Sequence, residues 1–243
     1  METSNVNTSS LMRTLFCLAV VALAAGCAST DSTGTAAPKH FPSKFKATDG
    51  RVIEIGKRSP AEGGWNFQDP HLDKCWISTN FDFAGYDILY IAPTLSTAKL
   101  HGPDEVDPHE LAKKNLVVEV KQSFDSTRLF PNIVTAESDI KPGARVLKLE
   151  NTIVNYAKGG GAARYFAGLY GAGQPVLVVR GQVTDGGKTL FTFQATRSGV
   201  SGSARMFGGF RSDVDIQRED IRSMTLDLSD FVAAIGAKYQ AMN

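Results

Sequence analysis

Val176-Leu177-Val178-Val179-Arg180-Gly181-Gln182-Val183-Thr184-Asp185-Gly186-Gly187-Lys188-Thr189-Leu190-Phe191-Thr192-Phe193-Gln194-Ala195-Thr196-Arg197 is the stretch on which the reading of this chain turns. Two β-rich runs, 176–184 and 188–197, flank Asp185-Gly186-Gly187. Such a step between two strands signals a hairpin, because the tight turn needs positive φ at its central residues.

The flanks fill in around it. Residues 145–156, with Val146, Leu147, Leu149, Ile153 and Val154, read as a long strand. Residues 86–92 form an apolar run ended by Pro93, the first convincing core strand. Asp107-Pro108-His109-Glu110 opens a helix predicted to reach about residue 128, with Asp107 as N-cap and Pro108 at the first helical position. Leu111, Val117, Val118, Val120 and Phe124 are its expected apolar stripe, and a solvated side chain is expected for His109. Pro131 stops the helix, and Ile133-Val134 suggests a short strand. A Gly/Ser-rich loop, 198–212, follows the hairpin. A closing helix, 213–239, should bury Ile221, Met224, Leu228, Phe231, Val232 and Ile235, while Asp227 and Asp230 read as surface or capping groups. The order predicts a single α+β domain, 86–243: a mixed or antiparallel sheet with two main helices packed on it. Upstream, residues 52–55 and 74–79 read as short strands around a loop, 59–73, that holds Gly63-Gly64, Pro60 and Pro70. The stretch 51–85 is taken as an N-terminal extension.

The N-terminus speaks to location. Arg13 precedes a compact apolar run, 15–25, and small residues lead into Cys27. That is the layout of a secretory signal, here 1–26, and the run is too short to cross a bilayer as a helix. Residues 1–11 carry Glu2 and no base, so translation is expected to start at Met12. Leu23-Ala24-Ala25-Gly26-Cys27 resembles the bacterial lipobox, which implies a lipid-modified (palmitate-bearing) Cys27 as the membrane anchor. The alternative is an ordinary signal peptide that happens to contain a cysteine. Ala28 stands where inner-membrane retention usually needs Asp, which by resemblance to Gram-negative lipoprotein sorting points to the periplasmic face of the outer membrane. Residues 27–50 are the lipidated N-terminus and a linker rich in Ser, Thr, Ala, Pro, Lys and Gly.

Several chemistries are disfavoured. Without residues 1–26 the chain keeps 25 basic and 24 acidic residues of the original 26 and 25. That near-balance gives no reason to expect nucleic acid as a partner. Past Cys27 only Cys75 remains, either a buried apolar residue or a free thiol, with burial favoured by Trp76 and Ile77 beside it. Gly181 to Thr189 comes near a P-loop, but five residues intervene before Gly-Lys-Thr where four are needed, and the segment joins two strands. The cluster at Gly159 has Arg164 where a dinucleotide fingerprint needs Gly or Ala. His40, His71, His101 and His109 show no zinc spacing, and no Gly-x-Ser-x-Gly elbow exists. No metal or cofactor is expected, and no catalytic residue is assigned.

The remaining candidate is the small-residue segment, 159–173. Gly159, Ala163, Ala167 and Gly171 recur every four residues, which on a helix would make a smooth stripe. It would serve either tight packing on the chain's own sheet or contact with another subunit or lipid. Gly161, Ala163, Arg164, Tyr165, Gly168, Tyr170 and Gly171 are the candidate partner-binding residues.

From Tyr86 onward the chain resembles a family of bacterial lipoproteins built on a domain of unknown function. The matching features are Tyr86-Asp87-Ile88-Leu89-Tyr90-Ile91-Ala92-Pro93, Gly161-Ala162-Ala163-Arg164-Tyr165 with Gly168, Gly171 and Gly173, and the hairpin around Asp185. More distantly, the element order is similar to the periplasmic α/β domain of the curli secretion lipoprotein and of the N-terminal part of TolB. That resemblance implies a binding or assembly role and no chemistry. Three readings follow: a non-enzymatic envelope binding or assembly lipoprotein, with an envelope component as partner; an oligomeric secretion or channel accessory, in which the chain forms a homo-oligomer; and an enzyme acting on wall or lipid material.

Overall fold

The structure, a computed structural model, describes residues 44–47, 49–59, 63–79, 81, 85–160, 173–199 and 212–242. Ten strands among them form one sheet: β1 (Lys44–Lys46), β2 (Val52–Ser59), β3 (Gly64–Gln68), β4 (Lys74–Ser78), β5 (Ile88–Ile91), β6 (Leu95–Ser96), β7 (Asn132–Val134), β8 (Val146–Ala157), β9 (Val176–Asp185) and β10 (Lys188–Arg197). Two helices accompany it, α1 (Val106–Thr127) and α2 (Asp213–Met242). The strand order is β1-β2-β3-β4-β10-β9-β8-β5-β7, with β6 also on β8. β5 runs parallel to β7 and β8, β6 runs parallel to β8, and all other pairs are antiparallel. The chain is thus the expected single α+β domain with a mixed sheet and two helices.

The hairpin forms as read. Lys188 pairs with Asp185, and Gly186 and Gly187 take φ of +53° and +88°, the double positive φ of its two-residue turn. Along β8, Leu147, Leu149, Asn151 and Ile153 face inward in strict alternation. The register then slips between Ile153 and Asn155, and this bulge turns Tyr156 inward as well. Gly181 is glycine for lack of room: a Cβ there would stand 2.1 Å from the Phe193 ring and 2.9 Å from Asn151 Oδ1.

One layer of helix covers one face of the sheet. All six expected inner residues of α2 are buried. Phe231 stands edge-on to Phe67 of β3 (5.7 Å) and stacks on Phe191 of β10 (5.9 Å). Ser123 Oγ of α1 donates to Thr225 Oγ1 of α2 (3.0 Å), joining the helices.

Sequence expectations about the elements need correction in three places. At α1, Val106 opens the helix with Glu105 at the N-cap position, so Asp107 lies inside it and is not the cap. The α1 stripe is rotated: Val118 is 50% exposed and Leu111 and Val117 are half-buried, while His109, Ala112, Leu116, Val120, Ser123 and Phe124 form the buried face. The apolar residues misled because two small or polar residues, Ala112 and Ser123, occupy the close contact. Second, β3 lies inside the stretch 59–73 read as a loop. It is only five residues long, with Phe67 turned in and Asn66 and Gln68 out, a period-two pattern too brief to stand out beside Gly63-Gly64. Third, residues 52–78 add β2, β3 and β4 to the main sheet through β4–β10 pairing. Cys75 is buried, and that burial pushes its thiol pKa well up, helped by the Asp69 charge.

Candidate functional site

The end of β8, the start of β9 and the end of β10 lie at one end of the sheet, because these strands alternate in direction. Gly160 N–H donates to the Gly173 carbonyl (2.9 Å), closing the neck of the small-residue segment, with Gly159 and Gly173 at φ of +85° and +70°. Glu105, buried before α1, accepts from the backbone N–H groups of His101 (2.6 Å) and Lys158 (3.2 Å), and Lys158 Nζ meets Asp104 at 3.1 Å. The second glycine-rich stretch leaves β10 beside this neck. Gly199 N–H donates to buried Asp220 Oδ2 (2.8 Å), and a Cβ on Gly199 would stand 2.9 Å from Gln174 Oε1 and from Pro175 Cδ. The candidate residues Gly161, Ala163, Arg164, Tyr165, Gly168, Tyr170 and Gly171, and also Cys27, lie outside the described residues.

The same end holds an ionic cluster that the sequence reading missed. Arg51, between β1 and β2, has a side chain only 5% exposed. Its Nη1 donates to Asp227 Oδ1 (2.6 Å), its Nη2 donates to the Asp227 main-chain carbonyl, and its Nε faces Asp69 Oδ2 at 3.2 Å. Arg197 Nη2, from the last residue of β10, donates to the other Asp227 oxygen (2.6 Å), and its Nη1 donates to the His71 carbonyl (3.0 Å). The Asp69 side chain is fully buried and accepts from the His71 (2.7 Å) and Leu72 (3.1 Å) backbone N–H groups. Burial raises its pKa, opposed by the His71 N–H and by the Arg51 charge. His71 Nδ1 sits 2.8 Å from Arg51 Nη1 and 2.9 Å from Asp227 Oδ1. Asp227 therefore bridges two arginines, where a surface or capping role was expected.

Asp49, His71 and Asp227 place three donor atoms within 4.8 Å of one another, close enough to share a metal ion. The residues do not fit one. Arg51 Nη1 lies 2.6, 2.8 and 3.6 Å from those same donors, so the guanidinium is already their cation. The cluster acts as a clamp between the β1–β2 turn, the β3–β4 loop, β10 and α2. A cavity of about 400 Å³ beside it is lined by His71, Asp73, Thr196, Arg197, Ser223 and Asp227. One signal was available in the sequence: Arg197 continues the inward series Phe191, Phe193, Ala195, and a charge on an apolar face needs a buried partner.

A second polar network closes the same end. His109 Nε2 meets Ser96 Oγ at 2.9 Å, and Nδ1 lies 3.7 Å from Glu110. Ser96 Oγ also accepts from Ala98 N–H (3.2 Å) and donates to the Ile153 carbonyl (3.3 Å). The bonds of Ser96 are consistent when His109 Nε2–H donates to it, since its own proton then goes to the Ile153 carbonyl, so the imidazole ties α1 to β6 and does not take the Ser96 proton. The ring also stands edge-on to Tyr156 (5.0 Å), whose hydroxyl donates to Gln217 Oε1 of α2 (3.0 Å). With its side chain 7% exposed, His109 is buried where solvation was expected, and that burial lowers its pKa. Its folded pKa therefore lies below the ordinary value of about 6.5. The stability this gives is fully present above the ordinary value and is lost as pH falls toward the folded one. Thermal melts should fall on acidification through this window, and His109→Gln should flatten that slope; an unchanged slope counts against it.

No protein-family model and no curated protein matches the chain. Among solved structures it is similar to PelC from Paraburkholderia phytofirmans, described as a dodecamer, at 14% identity, covering 60% of this chain and 92% of that one, with a TM-score of 0.39. It is also similar to a DUF330 protein from Xanthomonas campestris at 12% identity, covering 68% and 92%, with a TM-score of 0.38.

Proposed function

We propose that this chain is a non-enzymatic envelope lipoprotein, anchored through lipid on Cys27 to the periplasmic face of the outer membrane, whose domain binds or assembles with another envelope component. The lipobox-like sequence before Cys27 supports the anchor. Among the described residues no helix is long and apolar enough to cross a membrane.

The observation that carries the binding role is the side-by-side origin of the two glycine-rich stretches, 161–172 and 200–211, at one end of the sheet. Their sequences share a pattern. Gly161-Ala162-Ala163-Arg164-Tyr165-Phe166-Ala167-Gly168 and Gly202-Ser203-Ala204-Arg205-Met206-Phe207-Gly208-Gly209 both read Gly-x-Ala-Arg-x-Phe-x-Gly. Each brings one arginine and one or two aromatic residues, types enriched in protein contact surfaces. The clamp around Asp227 and the network around His109 brace the end from which they leave.

In-cell crosslinking of the full chain tests this. Arg164→Ala with Arg205→Ala should lose the captured envelope component while the melting temperature stays unchanged; retained capture overturns the binding role. Cys27→Ala should abolish palmitate labelling and move the protein from the membrane to the soluble fraction. A captured species that is only a second copy of the chain would favour the oligomeric accessory reading.

A further inference from the structure

Among the described residues, the face of the sheet away from α1 and α2 carries a different surface. Strand registers set Asn66, Trp76, Thr192, Gln182 and Glu150 directly opposite one another across β3, β4, β10, β9 and β8. The next row along the strands is Lys74, Gln194, Arg180 and Thr152. Directly opposed residues stand on the same face of a sheet. Every member of both rows is exposed or half-buried, whereas the row between them, from Phe67 through Cys75, Phe193 and Gly181 to Asn151, is buried on the helix side. Two shallow grooves of about 560 and 680 Å³ follow the outer rows and share Lys74 and Thr192.

The side chains of these rows are oriented by bonds between neighbouring strands. Gln182 Nε2 donates to Glu150 Oε2 (3.0 Å), and Arg180 Nε donates to Gln194 Oε1 (2.9 Å). Those bonds hold the planar groups in place and leave the Gln182 carbonyl, the Gln194 amide N–H groups and the terminal nitrogens of Arg180 as further acceptors and donors. Trp76 lies across Gly64: a Cβ on Gly64 would stand 2.4 Å from the indole Cε2 and 2.5 Å from Nε1, so only glycine leaves the ring that place.

An aromatic ring beside a row of planar amide, guanidinium and carboxylate groups matches sugar chemistry. A pyranose offers an apolar C–H face to an aromatic ring and adjacent hydroxyls to paired donors and acceptors. The surface fits a second copy of the chain less well, since an interface centre is depleted in charge and rich in apolar area. Here the exposed Leu95 lies at the margin and the centre is polar. Lys74 and Arg180 stand against Glu150, itself bridged by Lys148 (2.8 Å), so neutral or carboxylate-bearing sugars suit the charge and cationic ones do not. We propose that this face binds a neutral or uronic-acid-containing glycan chain laid across the strands, with Trp76 as platform and Arg180, Gln182 and Gln194 as hydroxyl-binding groups. This does not rest on the partner-binding role of the loop end, and its variants touch none of those residues.

Native affinity electrophoresis of the full chain, in gels containing hydroxyethylcellulose, glycol chitin or polygalacturonate, is the test. At least one polymer should retard the protein. Trp76→Ala and Arg180→Ala should each weaken that retardation by about tenfold or more. Arg180 and Gln182 are exposed, so Arg180→Ala and Gln182→Ala decide the outcome if Trp76→Ala does not fold. Failure of all three polymers to retard the chain overturns the proposal, as does retardation that Arg180→Ala and Gln182→Ala leave unchanged. A concentration-dependent dimer dissolved by Arg180→Ala also overturns it, in favour of a second copy on this face.

Discussion

Replacing Asp227 with Asn should destabilise the domain by about 3–5 kcal/mol, the range for breaking a buried ion pair from one side. The substitution leaves Arg197 buried without its counter-charge and leaves Arg51 only Asp69 and the more distant Asp49, so the loss exceeds any attraction given up. For a domain of this size, that corresponds to a fall in melting temperature on the order of 10 °C. Replacing Arg51, Arg197 and Asp227 together with Met, Met and Leu, with Asp69→Asn to remove the carboxylate that faces Arg51, should recover part of the loss, since that set leaves no charge of the cluster unpaired. Guanidinium unfolding of the single and quadruple variants measures both. A loss under about 1 kcal/mol for Asp227→Asn would place the cluster with exposed pairs and refute the clamp.

The second large effect belongs to Phe231. Phe231→Ala should remove about 3–5 kcal/mol, because the ring is fully buried and the cavity it leaves is walled by other large side chains. Phe231 touches Phe67 and Phe191, and Phe191 stacks on Phe193 at 5.7 Å. One α2 residue thus holds strands from both halves of the sheet. Phe231→Leu should lose less than about 1.5 kcal/mol, as most of the volume stays filled. Equal losses for the two variants in urea titrations would mean that ring geometry, and not cavity volume, sets the energy.

What could be read in the sequence depended on range. The inner face of α2 was legible because Ile221, Met224, Leu228, Phe231, Val232 and Ile235 keep one helical stripe over four turns. The hairpin was legible because Asp185-Gly186-Gly187 dictates its own turn. β3 was not: five residues hold too few periods, and what makes Gly64–Gln68 a strand is β4, itself placed by β10 more than a hundred residues away. The Asp227 cluster stayed hidden for the same reason. Its members, Arg51, Asp69, Arg197 and Asp227, come from four separate parts of the chain, and nothing local announces that they meet. His109 was misjudged because helix position alone suggested solvent, while β6 and Tyr156 cover it. The glycine-rich stretches were visible from composition, but their shared origin required the sheet.

The pairing of β4 with β10 has a consequence for how the molecule is made. β2, β3 and β4 are synthesised first, yet the strand that joins them to the rest of the sheet is nearly the last to emerge, and the Asp227 carboxylate that locks Arg51 comes later still. Strands whose partners lie far along the chain close slowly, since the loop entropy is lost before any contact is gained. Through most of synthesis the first third of the sheet therefore exists as an unsatisfied β-edge, the kind of surface that recruits holdase chaperones and, without them, seeds aggregation.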